Sequence, residues 1–427
     1  MNLESNMNTE MPIIEPKYVT EFQCWGERCP SNCCHSWDIG VDEKSFKTLK
    51  RSTAPAISSL ASRYLKRDKK SAHYGKIKLL DNGNCPMLDK QGLCQIHSKL
   101  GHHALSTTCQ SYPRVNKPFA QRVEQSLSLS CPAAASAVLF DPQAMQLKVA
   151  SQTGPKQKVT PNTLPVWVAP IRDLCFDILL QEQIPLPQRL LAIGLLFKRM
   201  GNDVSDIAKV EQASKEIVSL IQSNKLEGAY ESLPRLTEVK WQAFAVQLHH
   251  NLRRSQKSEK EQGFVAPADK RFNGLLDAAF SQLSLPAHAI DNYDAFSKTM
   301  ENQQYVDAFE AMLSQSKEAH LTGYFEQHPQ LLLNYLLYCL YHDQFLLHHQ
   351  KTPFQYFKVL LTDMLVVEVL LSAKALEERK IDDDMVVEVF SAYSKRRLHS
   401  STFVDTLEKY FNHTSRDSDA AIFALLT

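Results

Sequence analysis

Eight of the ten cysteines in this 427-residue chain lie between Cys24 and Cys131, and only Cys175 and Cys339 lie beyond. Thiols crowded into one stretch must be cross-linked, bound to metal or used in redox chemistry, and each choice demands a different fold. The opening sequence MNLESNMNTEMPIIEPKY has acidic residues and no basic start leading into an apolar run. It therefore does not read as a secretory signal, and a reducing, cytoplasmic setting is expected. In that setting clustered cysteines are more often metal ligands than disulfides.

The spacing narrows the chemistry. Cys24, Cys29, Cys33 and Cys34 read C-x4-C-x3-C-C, and Cys85, Cys94, Cys109 and Cys131 follow, enough sulfur for two four-thiolate sites. Thiolate selects zinc, copper(I) or iron–sulfur clusters over magnesium or calcium, which leaves zinc and iron–sulfur as the two live readings. Side chains of the neighbours Cys33 and Cys34 diverge in extended backbone, so a cluster with spread irons, or two separate sites, fits better than one compact zinc tetrahedron. The pattern is neither a paired C-x2-C ribbon nor a ferredoxin run, and it lacks the C-x2-C that marks thiol redox enzymes. His35, His97, His102 and His103 lie among the cysteines and are read as surface or hydrogen-bonded residues rather than ligands. Cys175 and Cys339, with apolar neighbours, are read as buried small hydrophobes.

With 44% apolar and 22% charged residues and a formal net charge of +1, the chain has the make-up of a globular protein without bulk attraction for nucleic acid. No membrane-spanning helix is expected: Leu331–Leu340 is too short, and Val359–Ala373 is interrupted by Asp363 and Glu368. The length implies two or three domains.

The expected fold is mainly α, with a small irregular cysteine-rich metal-binding N-terminal domain followed by an all-helical C-terminal region. The boundaries expected are a flexible N-terminus over 1–15, the metal domain over 16–146, a linker or irregular strand-bearing connection over 147–165, and the helical domain over 166–427. Helical spacing of apolar residues predicts helices over Asp42–Tyr64 around Pro55, and over Pro187–Met200, Val239–Arg254 and Asn273–Leu283. A further, buried helix is expected over Gln330–Leu347, with Pro329 in its first turn. The charged segment Ser255–Lys270 reads as a loop, and Ile381-Asp382-Asp383-Asp384 offers a carboxylate cap to the helix that follows. The basic residues between Arg63 and Lys78 read as a solvated face.

On these residues the chain resembles the flagellin lysine-N-methylase family. The resemblance rests on Phe22-x-Cys24, Cys29-x3-Cys33-Cys34-x2-Trp37-x-Ile39, Cys85-Pro86-Met87-Leu88 and Gly92-Leu93-Cys94-x-Ile96-His97. It continues through Leu100-Gly101, Cys109-Gln110-x-Tyr112-Pro113-Arg114 and Leu129-Ser130-Cys131-Pro132. It is dense over Pro16–Ala137 and thinner beyond, around Asn334-Tyr335-Leu336. It implies methylation of flagellin lysines with S-adenosylmethionine and a [4Fe–4S] cluster held by N-terminal cysteines. Two features set limits on the mechanism. The thirteen glycines nowhere form the G-x-G of a Rossmann donor site. The C-x3-C-x2-C triplet of radical enzymes is also absent.

A lysine amine of pKa near ~10.4 must lose a proton before it attacks a methyl group. Tyr112, His97 and Asp38 are the candidates to orient or deprotonate it, Arg114 the candidate to clasp the donor's carboxylate, and Trp37 a further cofactor-binding candidate. The bland alternatives are a packed turn at Tyr112–Arg114, a core role for Trp37, a cap or surface role for Asp38, and pairing of Arg114 with Asp89 or Glu124. The competing functional reading is a non-enzymatic zinc- or iron-binding module whose helices recruit a protein.

Overall fold

The computed structural model describes residues 11–31, 33–34, 39–69, 73–150, 161–262, 267–285, 293–344, 352–398 and 419–427. Two small sheets carry the N-terminal third. Strand β1 (Ile13–Pro16) leads into a single turn, α1 (Lys17–Thr20), and β2 (Gly40–Val41) precedes α2 (Glu43–Lys50) and α3 (Pro55–Tyr64). Asp42 starts α2 by accepting from the Ser45 N–H at 2.9 Å, and Pro55 occupies the first turn of α3. The single helix expected over Asp42–Tyr64 is thus two, broken where Pro55 restarts the chain. Strands β3 (Leu65–Arg67) and β4 (Gly75–Ile77) complete an antiparallel sheet of order β2-β4-β3.

Beyond it come α4 (Gln95–Leu100), α5 (Thr107–Ser111) and the hairpin of β5 (Arg114–Phe119) and β6 (Arg122–Leu127). Next are α6 (Pro132–Phe140) and β7 (Leu147–Val149). The second sheet has order β5-β6-β1-β7, with β1 parallel to β6 and antiparallel to β7. Ile13–Pro16 therefore holds a central strand where the sequence suggested a flexible arm, because β6 and β7 take up its backbone hydrogen bonds.

The rest is helical: α7 (Val168–Leu179), α8 (Leu186–Met200), α9 (Ile207–Gln222), α10 (Leu226–Glu231), α11 (Thr237–Gln262) and α12 (Pro267–Gln282), then α13 (Tyr293–Glu301), α14 (Gln303–Ser316) and α15 (Thr322–Gln327). They are followed by α16 (Leu331–Tyr338), α17 (Pro353–Glu378), α18 (Asp383–Leu398) and α19 (Asp419–Phe423). The mainly α expectation holds. The axis is α17, which packs against α8, α11, α12, α14 and α18 and buries residues around most of its circumference. Its start is a capping box: the Gln355 N–H donates to Thr352 Oγ1 and the Thr352 N–H to Gln355 Oε1. Among the described residues no helix is long and apolar enough to cross a membrane.

Three helix expectations are corrected. The charged stretch read as a loop from Ser255 continues α11 to Gln262, and α12 already begins at Pro267. Lys, Glu, Gln and Arg are good helix formers, so a helix can run through a segment that lacks apolar periodicity. The Gln330–Leu347 helix starts at Leu331 just after Pro329, widens to a π-turn over Cys339–Asp343 and stops at Gln344, whose φ is 47°. The helix expected over Asn273–Leu283 is the longer α12, which begins at Pro267 and ends at Gln282, one residue short of Leu283.

The interior divides differently from the chain order. One small core joins Ile39, Val41, Leu49, Ile57, Ile77, Met87 and Ile96 with Cys85. The large core joins the C-terminal helices to Tyr18, Val19, Phe119, Leu127 and the buried face of α6. Side chains of α16 and the turn after it fasten the two parts: Tyr338 donates to the Leu127 carbonyl at 2.9 Å, Tyr341 to that of Ile14 at 2.8 Å, and Asn334 to that of Asp141 at 2.8 Å.

At Gly194 in α8 an added Cβ would fall 2.4 Å from the Phe357 ring and 2.5 Å from that of Phe423. Gly194→Ala should therefore lower stability by about 1–3 kcal/mol in urea unfolding despite alanine's better helix propensity. An unchanged or raised midpoint would show that both rings can swing aside.

Candidate metal centre and adjoining cleft

Backbone contacts bring the cysteine loops together. The Cys85 N–H donates to the Cys34 carbonyl at 2.8 Å, and Leu88 bridges Cys94 across the tight turn at Gly92, whose φ is 79°. Asp89 Oδ1 accepts from the Gln91 and Leu93 N–H groups, both at 2.9 Å, closing the turn that presents Cys94 at the start of α4. Cys109 lies in α5, capped by Ser106 Oγ, which accepts from the Cys109 N–H at 3.3 Å. Cys131 caps α6.

The thiols fall into two adjoining groups. Cys85, Cys94 and Cys109 sense one another and Cys33, and Cys34 senses Cys33, Cys85 and Cys94. Cys29 and Cys131 sense Cys24 and, at Cys131, each other, with Cys33 also felt by Cys29. The Cys33–Cys34 pair stands where the groups meet.

Burial pushes the Cys85 and Cys131 thiols up to about 12 and that of Cys109 up to about 11. The hydrogen bond it shares with Cys34 pulls Cys33 down to about 7, while that same bond raises Cys34. Without metal most of these groups are neutral thiols at neutral pH. Loading a metal must expel protons, so affinity rises with pH.

Backbone N–H groups already point at several sulfurs: those of Ile96 and His97 at Cys94, of Ala133 and Ala134 at Cys131, and of Met87 at Cys85. Each lowers the cost of a thiolate. None of the ten cysteines is joined in a disulfide. The donor chemistry fits a thiophilic metal. As placed, no three His, Cys, Asp or Glu side chains among the described residues stand close enough to hold an ion, so loading requires the loops to draw in.

Trp37 and Asp38, candidates for donor binding and for handling the lysine proton, lie outside the described residues, as does His35. Tyr112 lies between the thiol groups: its hydroxyl is 3.1 Å from Ser130 Oγ, and burial, then Cys131, raises its pKa. The phenol therefore stays protonated and can orient a partner but not accept a proton at neutral pH. His97 is exposed on α4 with its ring 6.1 Å from that of His102. Arg114 is exposed with its guanidinium 5.3 Å from the centre of the Phe22 ring. It pairs with neither carboxylate weighed for it: Asp89 serves its turn, and Glu124 is bound by Arg172 and Arg122. Cys175 and Cys339 are buried, as the sequence suggested.

Sequence reasoning missed an open cleft of about 710 Å³ beside the second thiol group. One wall is the cysteine loop, with Trp25, Arg28 and Pro30, and Pro132 at the head of α6; the other is Arg271 of α12 and the α17–α18 junction. Arg271 and Lys395 of α18 lie within electrostatic reach of Cys29 and Cys33 respectively. The only legible hint was the acidic run Asp382–Asp384. Asp382 does cap α18, accepting from the Met385 N–H at 2.9 Å.

Fold and thiol site together describe a cysteine-rich module built onto a helical body. Comparison with known proteins gives that class a family. The FliB lysine N-methylase C-terminal domain matches residues 172–425, and a candidate zinc- or iron-chelating domain matches residues 23–132. The chain belongs to the FliB lysine N-methylase family. It is 26% identical over 427 residues to the lysine-N-methylase of Salmonella typhimurium, covering 98% of this chain and all of that one, and equally so to that of Salmonella choleraesuis. It is 40% identical over 140 residues to the flagellar biosynthetic protein FliU of Salmonella muenchen, covering 32% of this chain and 83% of that protein. No solved structure matches.

Proposed function

We propose that the protein methylates lysine side chains of flagellin in the cytoplasm, taking the methyl group from S-adenosylmethionine, with a [4Fe–4S] cluster held by its N-terminal cysteines. The observation that carries the reading is that backbone bonds tie together the segments bearing Cys34, Cys85 and Cys94 beside a helical body of the lysine-methylase family. The names of the relatives, one a lysine-N-methylase over its whole length and one a flagellar protein, support the substrate. Residues 16–146 then act as the metal-binding part and 166–427 as the part that recognises the substrate.

Cys34, Cys85, Cys94 and Cys109 are the ligands best grouped for a cluster, with Cys33 beside them and Cys24, Cys29 and Cys131 forming the adjoining group. Held by these thiolates, a cluster would supply redox and Lewis-acid chemistry. In the transfer itself the S–CH3 bond breaks, an N–CH3 bond forms, the sulfonium leaves as a neutral thioether and the amine gives up one proton. His97 and Arg114 are exposed and would need a bound substrate to be brought into play. Tyr112 serves as a hydrogen-bond donor.

Structural zinc on Cys34, Cys85, Cys94 and Cys109 is the second reading, since the family description of the N-terminal region fits zinc as well as iron. Anaerobic purification with iron, zinc and sulfide assays on one sample, followed by transfer of labelled methyl to flagellin, separates the two. Roughly four irons and four sulfides per chain together with transfer are expected. Zinc without sulfide, and no transfer, would replace the enzyme by a metal-stabilised binding module.

A further inference from the structure

The cleft beside the thiols has features that neither the metal nor the fold requires. Its volume of about 710 Å³ would hold a side chain with its flanking backbone, and it is open rather than enclosed, which suits a chain segment better than a small cofactor. Its charges are partly spent on each other: Arg271 Nε lies 3.2 Å from Glu388 Oε1, and Lys380 Nζ lies 2.6 Å from Asp382 Oδ2. Glu378 shares the half-buried Lys374, 3.0 Å away, with Glu377, and Asp384 makes no ion pair among the described residues. Both carboxylates therefore keep capacity for a further cation, opposed by Arg28 and by Lys380, which lies within electrostatic reach of both. The facing wall offers the indole of Trp25, which attracts ammonium groups through its ring face. Trp25 follows Cys24, Pro30 follows Cys29 and Pro132 follows Cys131, so a cation lying along this wall ends beside the second thiol group.

We propose that this cleft receives the target segment of the protein substrate, with the lysine ammonium drawn in by Glu378 and Asp384 and its methylene stem laid against Trp25. The inference rests on the lysine-methylase reading and adds the place and chemistry of substrate entry. Arg28, which also lines the cleft, would pair with an acidic residue of the same segment.

The test is steady-state transfer to purified flagellin by the metal-loaded full-length protein. Glu378→Gln/Asp384→Asn should raise KM for flagellin roughly tenfold while kcat changes less than about twofold, and the wild-type KM should climb with added salt. Glu211→Lys, an exposed charge change on α9 away from the cleft, serves as the control and should leave KM unchanged. Trp25→Ala should raise KM by a similar factor. Metal content and thermal midpoint, measured on every variant, show whether the loop and fold are intact. If the carboxylate variant keeps the wild-type KM while the wild type transfers methyl groups, the cleft is not the entry site and the enzyme reading stands. If the metal-loaded wild type transfers nothing to flagellin, the reading and this inference fall together.

Discussion

Replacing Cys85 with serine should empty the metal centre and abolish methyl transfer while leaving the helical body folded. Cys85 is 4% exposed, packs in the small core with Met87 and Ile96, and is tied to Cys34 through its own N–H. Serine offers a hard oxygen with no accessible anion at neutral pH, so a ligand is lost outright. Bound iron should drop to less than about a tenth of the wild-type content, since a missing second ligand-shell contact alone already costs 10–100-fold in affinity. Because a hydroxyl in this small core also destabilises it, Cys109→Ser, at a half-buried position, is the companion variant. Both should lose iron and transfer while far-UV circular dichroism keeps most of the helical signal, because the large core is built without either residue. Retained transfer in an iron-free Cys85→Ser protein would remove the cluster from the mechanism.

The second large effect is expected far from the thiols. Glu124 on β6 and Arg172 on α7 face each other with side chains 1% and 3% exposed and form two bonds of 2.6 and 2.8 Å. Arg122 and Gln344 also contact Glu124, and the Arg172 guanidinium lies 3.5 Å above the Phe119 ring. Glu124→Gln leaves a buried guanidinium without its counter-charge, which costs about 3–5 kcal/mol. Urea unfolding should show that loss, and Glu124→Gln/Arg172→Met should recover much of it. A loss below about 1 kcal/mol would mean that water reaches Arg172 once the carboxylate is gone.

The same pair sets an acid limit. Burial alone would raise the Glu124 pKa, but the bonds from Arg172 and Arg122 outweigh it and hold the carboxyl below its ordinary value. Its contribution is thus complete above the unfolded carboxylate pKa of ~4.3 and is lost as the pH falls through the lower folded value. The Glu124→Gln protein should lack this part of the acid unfolding.

The cysteine spacing, the capping carboxylate at Asp382 and the apolar stripes of α8 and α16 were legible because each is a short-range pattern whose physics acts within a few residues. The sequence by itself also determined that the body would be helical, since helical periodicity is written locally. Which loops meet was decided only in three dimensions. The bond from Cys85 to Cys34 spans a gap in sequence that no spacing rule covers, and the 13–16 strand becomes ordered only because β6 and β7, more than a hundred residues later, accept it. Glu124 pairs with Arg172 rather than Arg114 because β6 turns its face toward α7, and the cleft exists because the cysteine loop comes to rest against the α17–α18 junction. Such contacts depend on packing summed over the whole chain, and a local pattern carries no record of it.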